Sequence, residues 1–282
     1  MLRAYCRSSR APRPPANRPH RQRQHCRPYS PGMQDRSSPT VASRSHPEGL
    51  SGAAPSNPTP HQATMLQRLG QNVNLAGASL FFHIAWRERG LCLPHLDISD
   101  LLQVDWAALH GAGFRAAIFD KDNTLTVPYA LELQPSAAES LARCRSHFGD
   151  AVALFSNSAG LAQFDPEGEE AAALEASLGV PVLRHSEKKP GGGVEDLVSH
   201  FGCQPHEMIM VGDRYLTDIV FGNRHGMLTV RPRPFTSEGE PVTVALARRL
   251  EAACTARWLV QGHAAPSHPF LKGQASGAFL LQ

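Results

Sequence analysis

Paired cysteines are missing. Cys6, Cys26, Cys92, Cys144, Cys203 and Cys254 are widely scattered with no C-x-x-C among them, a spacing that suggests neither a zinc site nor a disulfide framework. Fourteen histidines are present, yet none falls in an H-E-x-x-H pattern, and most read as solvent-exposed. No apolar stretch reaches the roughly 20 residues needed to span a bilayer, so the mature protein is expected to be soluble or peripheral. The glycine-rich "KPGGGVED" lacks the G-x-x-x-x-G-K-S/T spacing of a phosphate-cradling loop and reads as a helix entry.

Lysine is absent from residues 1–60, which hold ten Arg and only two acids, Asp35 and Glu48, for a segment charge of +8. Residues 61–282 carry 18 basic and 23 acidic side chains, or −5. The basic pI therefore belongs to the leader, and the mildly acidic body argues against a nucleic-acid-binding surface. The leader is rich in Arg, Ser and Pro, and its apolar residues never gather into a secretory hydrophobic region. It resembles an organelle transit peptide, mitochondrial first and plastid as the alternative. The competing reading is a disordered basic tail with no address, because Pro-rich polar sequence cannot bury enough surface to fold.

From about residue 114 short apolar runs alternate with helical patterns, the sign of β-α units around a parallel sheet. Strands are expected at 114–119, 151–155, 181–184, 207–211 and 227–230, with helices over 135–148, 169–179 and 191–202. After about residue 262 the composition turns to Gly, Ala, Ser and Pro. The expected organisation is a disordered leader (1–60), an amphipathic segment (61–92), an α/β domain (93–262) and a loose tail (263–282).

Open α/β sheets bind ligands in the crevice outside the carboxyl ends of their strands, and the chemistry of this chain collects there. The first run, "AAIFDKDNTLTVPYA", ends in Asp120 and Asp122, with Thr124 two positions on. In extended chain, residues i and i+2 share a side, so two like charges project together, which asks for a cation or a job. The second run ends in "FSNSAG", offering Ser156 and Asn157; "HSEKKPGGG" brings Lys188 and Lys189; and "VGDRYLTD" ends the fourth with Asp213, Arg214 and Asp218. Any one of these is an ordinary loop residue. Four sets at successive strand ends are not ordinary.

The four motifs resemble those of the haloacid dehalogenase superfamily, in family order. The longer wording of "FDKDNTLTVPY", "FSNSAG", "HSEKKPGG" and "VGDRYLTDIVFGNRHG" is similar to the mitochondrial and plastid phosphatidylglycerophosphate phosphatases, over about residues 70 to 255. That resemblance implies a Rossmann-like three-layer α/β fold with a parallel sheet. It implies hydrolysis of phosphatidylglycerophosphate to phosphatidylglycerol, the precursor of cardiolipin. It also implies Asp120 as nucleophile forming an aspartyl-phosphate, Asp122 as acid/base, and Ser156 with Lys189 holding the phosphoryl oxygens, Lys188 being the other lysine available. Mg²⁺ would be held by Asp120, the backbone carbonyl of Asp122, Asp213 and Asp218, an oxygen set suited to a hard ion. Thr124, Asn157, Arg214 and Asn223 are further pocket candidates, with Thr124 more a fastener of its loop than a substrate contact.

Spacing also bears on access. About 30 residues separate Thr124 from Ser156, and about as many separate Ser158 from Lys188, room for core helices but not for an inserted cap. A capless, open crevice suits a phospholipid headgroup at a membrane surface; a phosphoprotein or another phosphomonoester fits as well. In residues 65–89 apolar side chains recur at three- and four-residue steps from Leu66 to Ile84, with arginines near the ends. This is either an interfacial helix giving peripheral membrane association or a helix packed on the domain. A non-enzymatic membrane module on the same fold is the alternative from another class, disfavoured by the intact Asp120–Asp122 pair.

Overall fold

The second of five strands shows how the layers are laid. Along Ala116–Phe119 (β2), which is buried on both sides, Ala117 and Phe119 join one apolar cluster while Ala116 and Ile118 join another. The period-two alternation of a strand thus feeds two separate cores, and a run apolar at every position is what a strand covered on both faces requires. This computed structural model describes residues 87–281 apart from 158, 164, 239–241 and 273–275. The leader and most of the amphipathic segment, including the expected interfacial helix up to residue 86, lie outside the described residues.

The other strands are Leu96–Ile98 (β1), Val152–Leu154 (β3), Met208–Val211 (β4) and Leu228–Pro232 (β5). They form one parallel sheet in the order β1-β5-β4-β2-β3. The helices are Trp106–Ala112 (α1), Pro135–Phe148 (α2), Glu169–Leu178 (α3), Glu195–Phe201 (α4), Val220–Arg224 (α5) and Val242–Val260 (α6). The first three bury Trp106, Leu109, Leu141, Cys144 and Leu174 against one face of the sheet. Leu197 and Phe201 of α4 and Phe221 of α5 cover the other, completing the three-layer α/β fold.

Local chemistry sets several helix ends. Asp105 caps α1 by accepting from the Ala108 N–H at 2.9 Å, and Gly113, at φ +112, stops it in a conformation that favours glycine. Pro135 occupies the first turn of α2, where its missing N–H leaves no bond unmade. Trp106 of α1 donates its indole N–H to the Ser140 hydroxyl of α2 at 2.9 Å, and Ser140 donates to the Leu101 carbonyl at 2.8 Å. That buried chain locks α1 and α2 to the segment entering them.

Four expectations are corrected. Residues 181–184 form no strand: Leu154 bridges only Val182, since Pro181 brings no N–H to a ladder, and the next pairing comes at His185, which bonds the Gly160 carbonyl and bridges Leu161. The edge strand β1 is an addition, its three residues being too short to stand out as an apolar run. The segment 263–282 is not loose throughout. Phe279 is buried in the main core, Leu280 bridges Val104, and His268 stacks on Phe114 at 5.2 Å. Gly191–Gly193 also stay outside α4, which starts at Glu195.

Candidate active site

Adjacent strands β2 and β4 deliver the first two carboxylates. Phe119 pairs with Val211, so the chain leaving β2 at Asp120 runs beside the chain leaving β4 toward Asp213. The Asp120 N–H donates to the Val211 carbonyl at 2.8 Å, and the Asp213 N–H donates to the Thr124 hydroxyl at 3.1 Å. β2 has β3 on one side and β4 on the other, so the carboxylates sit where the connections diverge, the place at which open α/β sheets take ligands.

The turn after β4 adds a third carboxylate. Residues Tyr215–Ile219 form one wide helical turn leading into α5, and Asp218 in it accepts from the Arg214 N–H at 3.1 Å. Gly212 permits this fold-back, because a Cβ there would stand 2.3 Å from the Asp218 carboxyl carbon. Asp120, Asp213 and Asp218 are all buried, and one oxygen of each lies within 4.8 Å of the others.

Three like charges so close require compensation. The Lys189 ammonium, itself fully buried, lies 3.0 Å from Asp120 Oδ1 and 2.5 Å from Asp218 Oδ1. Burial pulls its pKa down, but the two carboxylates outweigh burial and raise it, so it stays charged. Of the two lysines in the motif, Lys189 is the one whose ammonium reaches the carboxylates. Asp213 Oδ2 meets Arg248 of α6 at 2.5 Å. Compensation is incomplete. Burial, aided by neighbouring carboxylates, raises Asp120 to about 6 and Asp213 to about 7 despite Lys189 and Arg248.

This donor set fits a divalent cation. Asp213 Oδ1 is buried with no hydrogen-bond partner, an acceptor left without a proton donor. The converging atoms are all carboxylate oxygens, the chemistry of a hard ion such as Mg²⁺. Asp122 stands apart from the cluster: its half-buried carboxylate pairs with Lys121 and accepts from the Tyr129 N–H at 3.0 Å.

The remaining expected residues are all placed. Ser156, two positions beyond β3, is buried. Asn157 is engaged twice with Lys189, accepting from its N–H at 2.8 Å and donating to its carbonyl at 3.1 Å. Thr124 is fully buried in its bond to Asp213. Arg214 pairs with buried Glu251 of α6 at 3.0 Å. Asn223 is not brought to the crevice: its amide donates to the Leu91 and Leu93 carbonyls at 2.9 and 2.8 Å. Neither the connection 120–134 nor 155–168 holds a helix or named strand among the described residues, so no cap covers the site from there.

Sequence reasoning missed Lys121, Gly212, Arg248 and Glu251. Lys121 and Gly212 lie inside the quoted motifs, and a glycine directly before an acidic turn is a signal of close approach. Arg248 and Glu251 carry no local signal. Beside the crevice a cavity of about 330 Å³ is lined by Asp97, Ile98, Ser99, Tyr215, Arg231 and Arg233. There Arg231 lies 4.0 Å from the centre of the Tyr215 ring and pairs with Asp97 at 2.6 Å, tying β1 and β5 to the turn that carries Asp218.

Comparison with known proteins adds an independent line. A family model described as mitochondrial PGP phosphatase matches residues 76–234. The chain is 53% identical over 219 residues to phosphatidylglycerophosphate phosphatase 1, chloroplastic, of Chlamydomonas reinhardtii, covering 78% of this chain and 81% of that one. It is 46% identical over 200 residues to phosphatidylglycerophosphate phosphatase 1, chloroplastic/mitochondrial, of Arabidopsis thaliana, covering 71% and 58%. With the phosphatidylglycerophosphatase GEP4, mitochondrial, of Saccharomyces cerevisiae it shares 36% over 141 residues, 48% of this chain and 75% of that one.

Proposed function

The chain belongs to the mitochondrial PGP phosphatase family, and on that premise we propose that it hydrolyses the terminal phosphate of phosphatidylglycerophosphate, giving phosphatidylglycerol for the cardiolipin pathway. Its relatives carry mitochondrial and chloroplastic names, and the Arg-rich leader agrees with work in such an organelle. The observation that carries the chemistry is the buried triangle of Asp120, Asp213 and Asp218 beyond the strand ends, with Lys189 against Asp120 and Asp218 and Arg248 against Asp213.

A phosphomonoester dianion repels a carboxylate, so attack needs positive charge on both. Lys189 supplies part of it, and Ser156 offers a hydroxyl to a phosphoryl oxygen. Asp120, the Asp122 carbonyl, Asp213 and Asp218 would hold Mg²⁺, which when bound neutralises the remaining charge. The Asp120 carboxylate forms a bond to phosphorus as the bond from phosphorus to the glycerol oxygen breaks, and Asp122 gives that oxygen its proton. The product is an aspartyl-phosphate, which divides one hard displacement into two easier ones. Asp122, now ionised, takes a proton from water as the water attacks phosphorus and releases Asp120 with inorganic phosphate. Lys121 and the Tyr129 N–H hold Asp122 on the crevice rim between these tasks. Thr124, Asn157 and Arg214 act by fixing Asp213, Lys189 and α6 in place.

The test is phosphate release from phosphatidylglycerophosphate in mixed micelles against a panel of soluble phosphomonoesters, with and without EDTA. The lipid should be preferred and EDTA should stop both reactions. A soluble ester turned over faster than the lipid assigns the site to another phosphomonoester, and an undiminished rate in EDTA rejects the metal.

A further inference from the structure

Helix α6 is built inside out. Its inward side carries Arg248, Glu251, Thr255 and Trp258, spaced by three, four and three residues, and these meet Asp213, Arg214, the helix's own carbonyls and the Cys92–Val220 cluster. Its outward side, at steps of four, four, three, four and three, reads Val242, Leu246, Leu250, Ala253, Arg257 and Val260, all exposed. Leu246 is 65% and Val260 90% exposed. A surface helix ordinarily turns such a stripe toward the core, and a contiguous exposed apolar patch marks an interaction surface.

We propose that this outward face is where the enzyme lies on an anionic lipid bilayer. The proposal rests on the lipid-phosphate reading of the site. Charge selects the occupant: Arg249 and Arg257 are exposed on or beside the stripe, and Glu251, the one acid in α6, is buried against Arg214. An apolar face flanked by arginines and free of acids is the composition that binds anionic lipid in the interface plane. No helix of the described residues is long and apolar enough to cross a membrane, so α6 lies along the surface. The same helix holds Asp213 through Arg248, so the apolar face and the catalytic carboxylates are opposite sides of one element. A second exposed apolar pair, Tyr129 and Leu131, stands on the loop whose Tyr129 N–H bonds Asp122. Lipid met by α6 is therefore one helix width from the carboxylates that Arg248 holds.

The experiment uses the full chain and vesicles of phosphatidylcholine with or without phosphatidylglycerol. Residues 1–60 are common to every variant, so differences between variants isolate α6. Leu246→Glu combined with Leu250→Glu should weaken flotation with phosphatidylglycerol vesicles about tenfold or more, while hydrolysis of a soluble aryl phosphate is kept. Leu250→Trp, which spares the face, should add an indole emission that brominated phosphatidylcholine quenches. Unchanged flotation of the double variant, or an added emission that the brominated lipid leaves unquenched, overturns the proposal. So does a double variant that turns a sedimenting dimer into a monomer without loss of flotation, which assigns the face to a second copy. If the double variant loses the soluble activity, the quenching result decides alone. A wild type that floats through α6 but leaves phosphatidylglycerophosphate intact overturns the substrate reading and keeps the surface. Normal lipid hydrolysis with flotation indifferent to α6 does the reverse.

Discussion

The strand ends that carry Asp120 and Asp213 and the C-terminal segment that carries His268 both bury ionisable groups, but proton binding moves their stability in opposite directions. At the strand ends burial raises Asp120 to about 6 and Asp213 to about 7. A carboxylate raised above its unfolded value destabilises the fold as pH rises through that window, because the unfolded chain ionises first. At His268, burial and the nearby His95 and His206 lower the pKa to about 4. Here the unfolded chain takes up the proton first, so stability falls as pH drops from about 6.5 toward 4. The first region holds charge that a cation can use, at the expense of stability in its absence. The second excludes charge to fasten a segment.

The sharpest way to separate the two is Asp120→Asn. Turnover should fall by about 10⁴-fold or more, since an amide cannot carry the phosphoryl group. Stability in EDTA at neutral pH should hold or rise, because one of three crowded carboxylates is gone while Lys189 keeps Asp218. Beryllium fluoride should form a stable adduct with the wild type and none with this variant. Asp122→Asn should lower the rate by about 10²–10⁴-fold, the usual worth of a positioned acid and base. A substantial rate in Asp120→Asn, or a clear loss of its stability, breaks the contrast.

Gly212→Ala probes the same centre through shape alone. The added methyl meets the Asp218 carboxyl, so urea unfolding should show a loss of about 1–3 kcal/mol, and the metal requirement should rise with it. A variant as stable and as active as the wild type would show that the turn has room to yield. The smallest effect is expected at the far region. His268→Phe should flatten the fall in thermal stability between pH about 6.5 and 4 while leaving activity at neutral pH unchanged. A pH profile parallel to that of the wild type would mean that other groups set the acid limb.

What can be read in the sequence follows from whether a residue stands at a strand end or turn, where topology alone brings it to the crevice. Asp120, Asp213 and Lys189 stand one or two residues from strand ends or beside a turn, so backbone alternation and topology bring them together, and helix α2 is legible to both its ends. The stretch 181–184 misleads because an apolar run after a proline satisfies local pattern but cannot form a ladder. Arg248 and Glu251 are invisible because they stand inside a helix, at no strand end or turn, and only the packing of that helix brings them to Asp213 and Arg214. In α6 the local pattern points the wrong way: its apolar stripe faces outward, and only the fold shows it. Phe279 is buried for a similar reason, an isolated aromatic whose pocket is assembled by residues far from it in the chain.

The double amide contact between Asn157 and Lys189 has a mechanical consequence. The loop that follows β3 and the loop that precedes α4 are riveted to each other at the residues adjoining Ser156 and at Lys189 itself. A hydroxyl and an ammonium borne on separate loops would otherwise close on an anion as two fingers, each free to adjust. Here they travel as one jaw with a fixed gap. On the proposed mechanism a phosphoryl group must match that gap rather than reshape it, and Asn157→Ala should slacken the gauge before it weakens either contact.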